Sequence, residues 1–357
     1  MQPQEFIHKT AEQFLKELLN HFPQWQAEQF QTIAHSLSPI GCSFYVKLEE
    51  ELFFLKYTRD STYYQRTEAI SKTLLGSAPG IVPRLTMTPG HGVLIYEYIT
   101  PLNIPTFNIT SIRPVIDALI SFHSCTQEQA QTHMRFLNKN SMTETVFDLL
   151  RQSKAQNIKS SPYFDDPELI QNALAIFDLI EAKATQIASD ISDIEEREDV
   201  KVLSHGDINV GNLLSQDERI IFTDLEHVGL RYRSDDLAQT ILMLEQTSLK
   251  NIREIIKIYL ESTNIRQTTN QEAFFQLVSR KLIIASAYQN LCMLIYYLSL
   301  KGLGCHFEQD LSPPLLTKSV KEARAPVMPG KWKTHRNLPE LIAQQSQRLH
   351  GLCSMYQ

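Results

Sequence analysis

The chain has 357 residues, 43% hydrophobic and 21% charged, which is long enough for two domains or one bilobal fold with an ample core. Its net charge of −6 excludes a global basic field that recruits nucleic acid and suits a cationic substrate better than an anionic one. Five scattered cysteines without a CxxC pair argue against a disulfide framework or structural zinc and favour a reducing, cytoplasmic setting.

The N-terminal segment is predicted to form an amphipathic helix. It lacks the basic region followed by an apolar core that marks a signal peptide. Its apolar side chains recur at helical spacing, at Phe6, Phe14, Leu15, Leu18 and Leu19.

A hairpin, a helix and a further strand are predicted next. Residues 43–57, SFYVKLEEELFFLKY, contain two β-rich runs on either side of an acidic turn at residues 49–51. Residues 61–76 have the pattern of a helix that stops at a glycine, and residues 92–99, GVLIYEYI, favour another strand.

Helical patterns dominate from Pro101 onward. The exception is the segment 203–226, which is predicted as two short strands joined by a loop. Helices return from Leu237 to about Gly302, and the apolar stretch 282–300 contains polar residues that favour a buried helix over a membrane span. The proline-rich tail from Ser312 gives no structural prediction.

The order of these elements predicts an α+β fold with two lobes. Residues 1–101 form a small N-terminal lobe with a leading helix and an antiparallel sheet, and residues 102–357 form a larger, mainly helical lobe.

Side chains that could take part in catalysis are concentrated in residues 203–214, LSHGDINVGNLL, and just after the strand that follows. Asp207 and Asn212 are separated by four residues on one loop, and Asp224 ends the apolar strand RIIFTD. Phosphoryl transfer from ATP needs a carboxylate to orient the acceptor hydroxyl, oxygen ligands for Mg²⁺ and a cation on the phosphates. Asp207 suits the first role, and Asn212 and Asp224 suit the second.

A cation and its partner are predicted upstream of this loop. Lys56 ends the strand LFFLKY, and Glu68 follows twelve residues later on the next helix, well placed to pair with it. Lys47, on the partner strand, is the competing candidate. With Lys56 included, the groups occur in the order Lys, Glu, Asp-x4-Asn, Asp that a kinase-like fold requires.

These residues resemble a known family. HGDINVGN, the following DLE and the earlier ALISFHS are similar to motifs of the aminoglycoside phosphotransferase and choline kinase superfamily. DLEHVGLRYRSDDLA resembles most closely the choline/ethanolamine kinase branch, in which an acidic D-x-E precedes an aromatic-Arg pair and a further Asp, here Tyr232, Arg233 and Asp236. The order of elements matches over residues 36–300, and the motifs are specific over residues 203–240.

The resemblance implies a protein-kinase-like fold that binds ATP and Mg²⁺, with Asp207 as catalytic base. Asn212 and Asp224 would be the metal ligands, Lys56 would contact the phosphates, and Glu68 would orient Lys56. The remaining nucleotide-binding candidates are Gly41 and Ser43 in a glycine-poor phosphate loop, and Glu97 and Tyr98 in the inter-lobe hinge IYEYI. The candidates for metal support or the acceptor side are Glu226, Arg233, Asp235 and Tyr288.

Several neighbouring polar residues are predicted to be structural. His205 is expected to bond the backbone around the loop, and His123 to close an apolar helix face. Asp236 is expected to cap a helix or to anchor the loop. Arg231 and Arg233 are expected to pair with nearby acids such as Asp235.

Aromatic residues near the C-terminus have two interpretations. Tyr288, Tyr296, Tyr297 and Trp332 could line a box for a quaternary ammonium, but core packing is favoured because aromatic residues at helical spacing are usually core.

The predicted activity is transfer of the ATP γ-phosphate to a hydroxyl of a small molecule, with choline or ethanolamine favoured. Aminoglycosides, thiamine and sugars stay open as acceptors, as does a catalytically silent nucleotide-binding module. A protein kinase is disfavoured because Asp236 follows Asp224 by only twelve positions, which leaves no room for an activation segment. No nucleic-acid partner is expected, and the oligomeric state cannot be predicted.

Overall fold

The structure is a computed structural model that describes residues 3–32, 41–77, 80–100, 102, 107–124, 140–152, 167–244, 248–263 and 270–302. Strands dominate its first part and helices its second, so the predicted α+β class with two lobes is confirmed. The division into residues 1–101 and 102–357 stays a prediction.

The N-terminal lobe contains an antiparallel sheet of five strands. They are β1 (Phe30–Thr32), β2 (Gly41–Leu48), β3 (Glu51–Thr58), β4 (Leu85–Gly90) and β5 (Val93–Glu97), in the spatial order β1-β2-β3-β5-β4. The predicted hairpin is β2–β3, and its turn is the pair Glu49 and Glu50, with φ of 48° and 73°. Positive φ at both central residues is typical of the turn whose twist matches that of the flanking strands.

The leading helix α1 (Pro3–His21) covers one face of this sheet. Phe14 and Leu18 are buried against sheet residues such as Phe44 and Leu55, and Leu15 packs at the edge of the same cluster. The predicted amphipathic helix is therefore present, and Phe6 lies outside the described side chains.

Helix α2 (Ser61–Ser77) follows β3 directly. The side chain of Asp60 accepts hydrogen bonds from the backbone N–H groups of Thr62 and Tyr63 at 2.9 and 3.0 Å, which satisfies donors that a helix start leaves unpaired. This capping fixes where α2 begins and therefore which of its side chains face the sheet.

The larger lobe consists of helices with two small strand pairs. The helices are α3 (Arg113–His123), α4 (Met142–Gln152), α5 (Pro167–Glu198), α6 (Arg233–Leu242), α7 (Leu249–Ser262) and α8 (Gln271–Gly302). The strands are β6 (Lys201–Ser204), β7 (Leu213–Gln216), β8 (Arg219–Phe222) and β9 (Gly229–Tyr232). Antiparallel pairs β6–β9 and β7–β8 frame the segment 203–226.

Helix α8 lies inside the larger lobe, packed against α4, α5 and α6. Its residues Leu282, Ile284 and Leu291 are fully buried in the main hydrophobic core, as predicted, and the side chains of residues 292–300 lie outside those described. Among the described helices, none combines the length and apolar character that crossing a bilayer requires.

Candidate active site

The loop after β6 is anchored by one buried carboxylate. Asp236, near the start of α6, accepts hydrogen bonds from Ser204 Oγ at 2.8 Å and from the backbone N–H groups of His205 and Gly206 at 2.7 and 2.9 Å. His123 Nε2 lies 3.0 Å from the same carboxylate. Asp236 therefore ties down the loop, one of the two structural roles predicted for it.

These bonds determine the protonation of Asp236. Burial alone would raise the pKa of its carboxyl, but the hydrogen bond and charge of His123, together with the other donors, lower it to about 2. His123 also contacts the hydroxyl of Tyr259 at 2.7 Å through Nδ1, and His205 Nε2 lies 2.8 Å from the carbonyl of Thr223. Both histidines are structural, as predicted.

Gln239, which was not predicted from the sequence, lies one turn after Asp236 on α6 and also forms hydrogen bonds with this loop. Its Oε1 accepts from the backbone N–H of Ile208 at 2.7 Å, and its Nε2 donates to the carbonyl of Gly206 at 3.3 Å. Arg231 Nη1 donates to that carbonyl at 3.1 Å. Its burial beside Asp236 is a feature of the packed structure, and no pattern in the sequence marked it.

Asp207 and Asn212 lie against each other at the tip of the loop. Asn212 Nδ2 donates to Asp207 Oδ2 and to the Asp207 carbonyl, both at 2.9 Å. Asn209 shapes the turn between them, because its side chain accepts from the backbone N–H of Gly211 at 2.9 Å. The side-chain NH₂ group of Asn212 donates to Asp207, so its side-chain oxygen Oδ1 is the atom that could bind a metal ion.

The strand pair β7–β8 brings Asp224 to the same place. Thr223 N donates to the backbone carbonyl of Asn212 at 3.0 Å, and the carbonyl of Thr223 accepts from His205. Thr223 is therefore hydrogen-bonded to the loop, and Asp224 is the next residue in the chain. Asp224 has φ of 66° and ψ of 57°, a left-handed conformation that is uncommon for a residue with a side chain. Such conformations cluster at functional sites.

Lys56 reaches from β3 in the small lobe to the carboxylates after β8. Its ammonium forms ion pairs with Asp224 and, at 2.8 Å, with Glu226. Burial alone would lower the pKa of Lys56, but the attraction of the two carboxylates outweighs it and raises the pKa well above its ordinary value. Burial raises the pKa of Asp224 to about 7 against the opposing effect of Lys56, and the charge of Glu226 adds to that rise.

The predicted pairing of Lys56 with Glu68 is wrong. Glu68 instead binds Lys72, one turn further along α2, at 2.6 Å. The reason is helical phase: Tyr63 and Thr67 of α2 face Lys56, and Glu68 lies about 100° further around the helix. A small cavity beside Lys56 is lined by Phe54, Lys56, Thr67, Pro83, Tyr96, Thr223, Asp224 and Leu225.

Gly41 and Ser43 lie in β2, where a phosphate-binding loop was predicted. A Cβ on Gly41 would come within 2.2 Å of the Tyr57 carbonyl, so the glycine is explained by close pairing of β2 with β3. Ser43 is buried opposite Lys56 in the same pair. Ser38 and the rest of the segment 33–40 lie outside the described residues.

Glu97 and Tyr98 lie at the crossing from β5 to the larger lobe. Glu97 Oε1 accepts from the backbone N–H of Arg84 at 2.8 Å, and the ring of Tyr98 packs edge-on against Tyr45 at 5.5 Å. Ser215 N then donates to the carbonyl of Thr100 at 3.0 Å, which joins this segment to β7. The segment has the position expected of an inter-lobe hinge, and its contact with adenine stays a prediction.

Three candidates for the acceptor side are buried in the structure. Arg233 pairs with an acid as predicted, but the acid is Asp199, at 2.8 Å, whereas Asp235 binds the buried Lys281 at 2.5 Å. Tyr288 is 4% exposed within the main core. These three side chains are buried in the packing of α5, α6 and α8, and their role in metal support or on the acceptor side stays a prediction. Tyr296, Tyr297 and Trp332 lie outside the described side chains.

The donor set fits Mg²⁺. Asp224 and Glu226 already converge on one cation, the ammonium of Lys56, and the amide of Asn212 lies on the adjoining loop. No group of three or more His, Cys, Asp or Glu in the described part of the chain is arranged to hold a metal. Mg²⁺ is commonly held by one or two carboxylates together with substrate phosphates and water.

Comparisons with known proteins give the fold. No model of a known protein family matches the sequence, and no curated protein matches it. Among solved structures, a Plasmodium vivax ethanolamine kinase is similar with a TM-score of 0.54 and 16% identity, over 76% of this chain and 80% of that one. The chain has a protein-kinase-like fold.

Two further structures support this assignment. The choline kinase LicA from Streptococcus pneumoniae is similar with a TM-score of 0.56 and 13% identity, over 95% of this chain and 98% of that one, and LicA has also been solved with AMP. A macrolide 2'-phosphotransferase type I is similar with a TM-score of 0.50 and 13% identity, over 77% and 88% of the two chains. The fold predicted from the choline kinase and aminoglycoside phosphotransferase motifs is confirmed.

Proposed function

We propose that this protein is an ATP- and Mg²⁺-dependent phosphotransferase that moves the γ-phosphate to a hydroxyl of a small molecule. The observation that carries the proposal is the meeting of Lys56 from the small lobe with Asp224 and Glu226, beside the pair Asp207 and Asn212. Cation, metal ligands and base are the parts that phosphoryl transfer requires.

Each residue would have a distinct task. Asp207 would accept the proton of the acceptor hydroxyl, and the amide of Asn212 holds that carboxylate in place. Lys56 would leave Asp224 and bind the phosphates. Asn212 and Asp224 would hold Mg²⁺, which when bound neutralises charge on the phosphate oxygens.

Choline or ethanolamine is the favoured acceptor. Support comes from the DLEHVGLRYRSDDLA motif and from the likeness in fold to a choline kinase and an ethanolamine kinase. The likeness to a macrolide phosphotransferase favours an antibiotic hydroxyl as the second candidate. The net charge of −6 suits a cationic acceptor of either kind.

The test is release of ADP from Mg²⁺-ATP with choline, ethanolamine, thiamine, an aminoglycoside, a macrolide and a sugar as acceptors. We expect turnover with choline or ethanolamine, and a fall in kcat of about 100- to 10,000-fold in Asp207→Ala. Asp190→Ala, on the exposed face of α5, is the matched control and should leave kcat unchanged.

The outcomes separate the alternatives. Turnover only with another acceptor would refute the choline/ethanolamine assignment and keep the kinase. Nucleotide binding without ADP release for any acceptor would support the silent module. Full activity in Asp207→Ala would refute the role of that residue.

A further inference from the structure

The counter-ion of Lys56 was expected on α2 of the small lobe, but it comes from the larger lobe. The face of α2 directed at Lys56 carries Tyr63, whose ring centre is 5.7 Å from Nζ, and Thr67. Neither side chain bears a charge. The carboxylate of α2 nearest in sequence, Glu68, is bound to Lys72. The charge that holds Lys56 therefore comes from the turn after β8.

We infer that Glu226 is the positioning residue of Lys56, in the role expected of Glu68. This inference rests on the proposed function and identifies how its phosphate-binding cation is held. Lys56 Nζ lies 2.8 Å from Glu226, whose side chain is 16% exposed, while Asp224 is 34% exposed. Glu226 is thus the more enclosed of the two partners.

The carboxylates of Asp224 and Glu226 are expected to behave differently when nucleotide binds. Asp224 adjoins Asn212 through Thr223 and would turn to the metal, so its ion pair with Lys56 must be given up. Glu226 shares a side-chain hydrogen bond with Asp224, and its own ion pair with Lys56 can be kept when Asp224 turns to the metal. A buried ammonium needs one retained partner, because an unpaired buried charge is strongly unfavourable.

The turn that carries Glu226 is fixed to α2. It is the short 3-10 helix Leu225–His227, which packs against α2, and Arg66 Nη2 donates to the carbonyl of Val228 at 3.0 Å. Glu226 therefore moves with the helix that also presents Tyr63 to Lys56. Glu226 follows Asp224 by two positions, so a single turn supplies both the lysine partner and the metal ligand.

Loss of Glu226 should have a specific consequence. In Glu226→Gln, Lys56 would have only Asp224 as a charged partner and would compete with Mg²⁺ for it. We expect binding of Mg²⁺-ADP, measured by calorimetry without any acceptor, to weaken by about tenfold or more. Glu226→Asp should recover part of that loss, and Glu68→Gln should change binding less than twofold.

Three further variants make the test decisive. In the background of Lys56→Met, adding Glu226→Gln should cause little further loss, because the interaction it removes is already gone. Glu254→Gln, exposed on α7, is the control for removal of a carboxylate. Thermal melting of every variant identifies any that fails to fold, in which case Glu226→Asp and Glu68→Gln decide.

The results discriminate between this inference and the proposed function. If the wild-type protein binds no Mg²⁺-ADP, the proposed function fails. If the wild-type protein binds it, the inference is refuted when Glu226→Gln binds within twofold of wild type, or when Glu68→Gln causes the larger loss. Equal losses from Glu226→Gln with and without Lys56→Met would also refute it, because Glu226 would then act independently of Lys56.

Discussion

Asp236→Asn should loosen the loop that carries Asp207 and destabilise the whole protein. The two carboxylate oxygens of Asp236 divide their contacts into pairs, Ser204 with Gly206 on Oδ1 and His205 with His123 on Oδ2. Each pair contains one backbone N–H. An asparagine side chain has one oxygen and one NH₂ group. The NH₂ group must face one of the two pairs of donors and cannot accept from them, so at least one buried backbone N–H loses its acceptor.

The magnitude follows from these contacts. A buried N–H without an acceptor costs about 1–3 kcal/mol. A pKa lowered from 3.8 to about 2 corresponds to about 2 kcal/mol of stabilisation by the ionised form of Asp236. Because the two figures describe overlapping hydrogen bonds, they are not added, and we predict a loss of about 2–3 kcal/mol in the free energy of unfolding.

The assay is denaturant unfolding of the wild-type protein and Asp236→Asn across pH. Because the pKa of Asp236 is lower in the folded protein than in the unfolded chain, its contribution is complete above about pH 4 and is lost as the pH falls through about 2. The difference between the two proteins should therefore shrink over that window. Asp117→Asn, in an exposed pair with Arg113, should change stability by less than about 0.5 kcal/mol. A loss under 1 kcal/mol for Asp236→Asn at pH 7, or a difference that grows toward pH 2, would refute this reasoning.

Two other substitutions test the scaffold of the site. Gly206→Ala should lower kcat at least tenfold and cost about 1–3 kcal/mol, because φ is 79° and a Cβ would lie 2.3 Å from Arg231 Nη1 and 2.6 Å from the carbonyl of His227; wild-type kcat would contradict this. Lys281→Met should cost about 3–5 kcal/mol, measured by unfolding, because it leaves Asp235 buried without a cation. Adding Asp235→Leu should recover part of that loss, and a double variant less stable than Lys281→Met would show that the pair is not the cause.

Features that depend on neighbours along the chain were predictable. The β2–β3 hairpin, the start of α2 and the helix at residues 282–300 follow from local pattern, because turn residues, caps and apolar periodicity act over a few residues. The meeting of Asp207 with Asn212 belongs to the same class, since a loop with four intervening residues can turn both side chains to one point.

Features that depend on helix phase were only partly predictable. The spacing of Lys56 and Glu68 indicated that α2 follows β3 closely, which is correct. It could not show that Thr67 rather than Glu68 faces Lys56, because one residue changes the direction of a side chain by about 100°. The partners of Arg233 and Asp235 could not be predicted for a related reason: charged residues are mostly exposed, and only a packed structure can supply buried partners such as Asp199 and Lys281.

The amino-acid sequence by itself determined the two-lobe α+β plan, the loop on which Asp207 meets Asn212, and the acidic turn beyond it. Tertiary structure alone decided which carboxylates meet Lys56, since Asp224 and Glu226 are 168 and 170 residues away. It also decided that Asp236 and Gln239 of α6 hold the loop that carries Asp207 by hydrogen bonds to its backbone. The physical reason is that contacts between distant segments depend on how whole lobes and helices pack, and no local spacing encodes that packing.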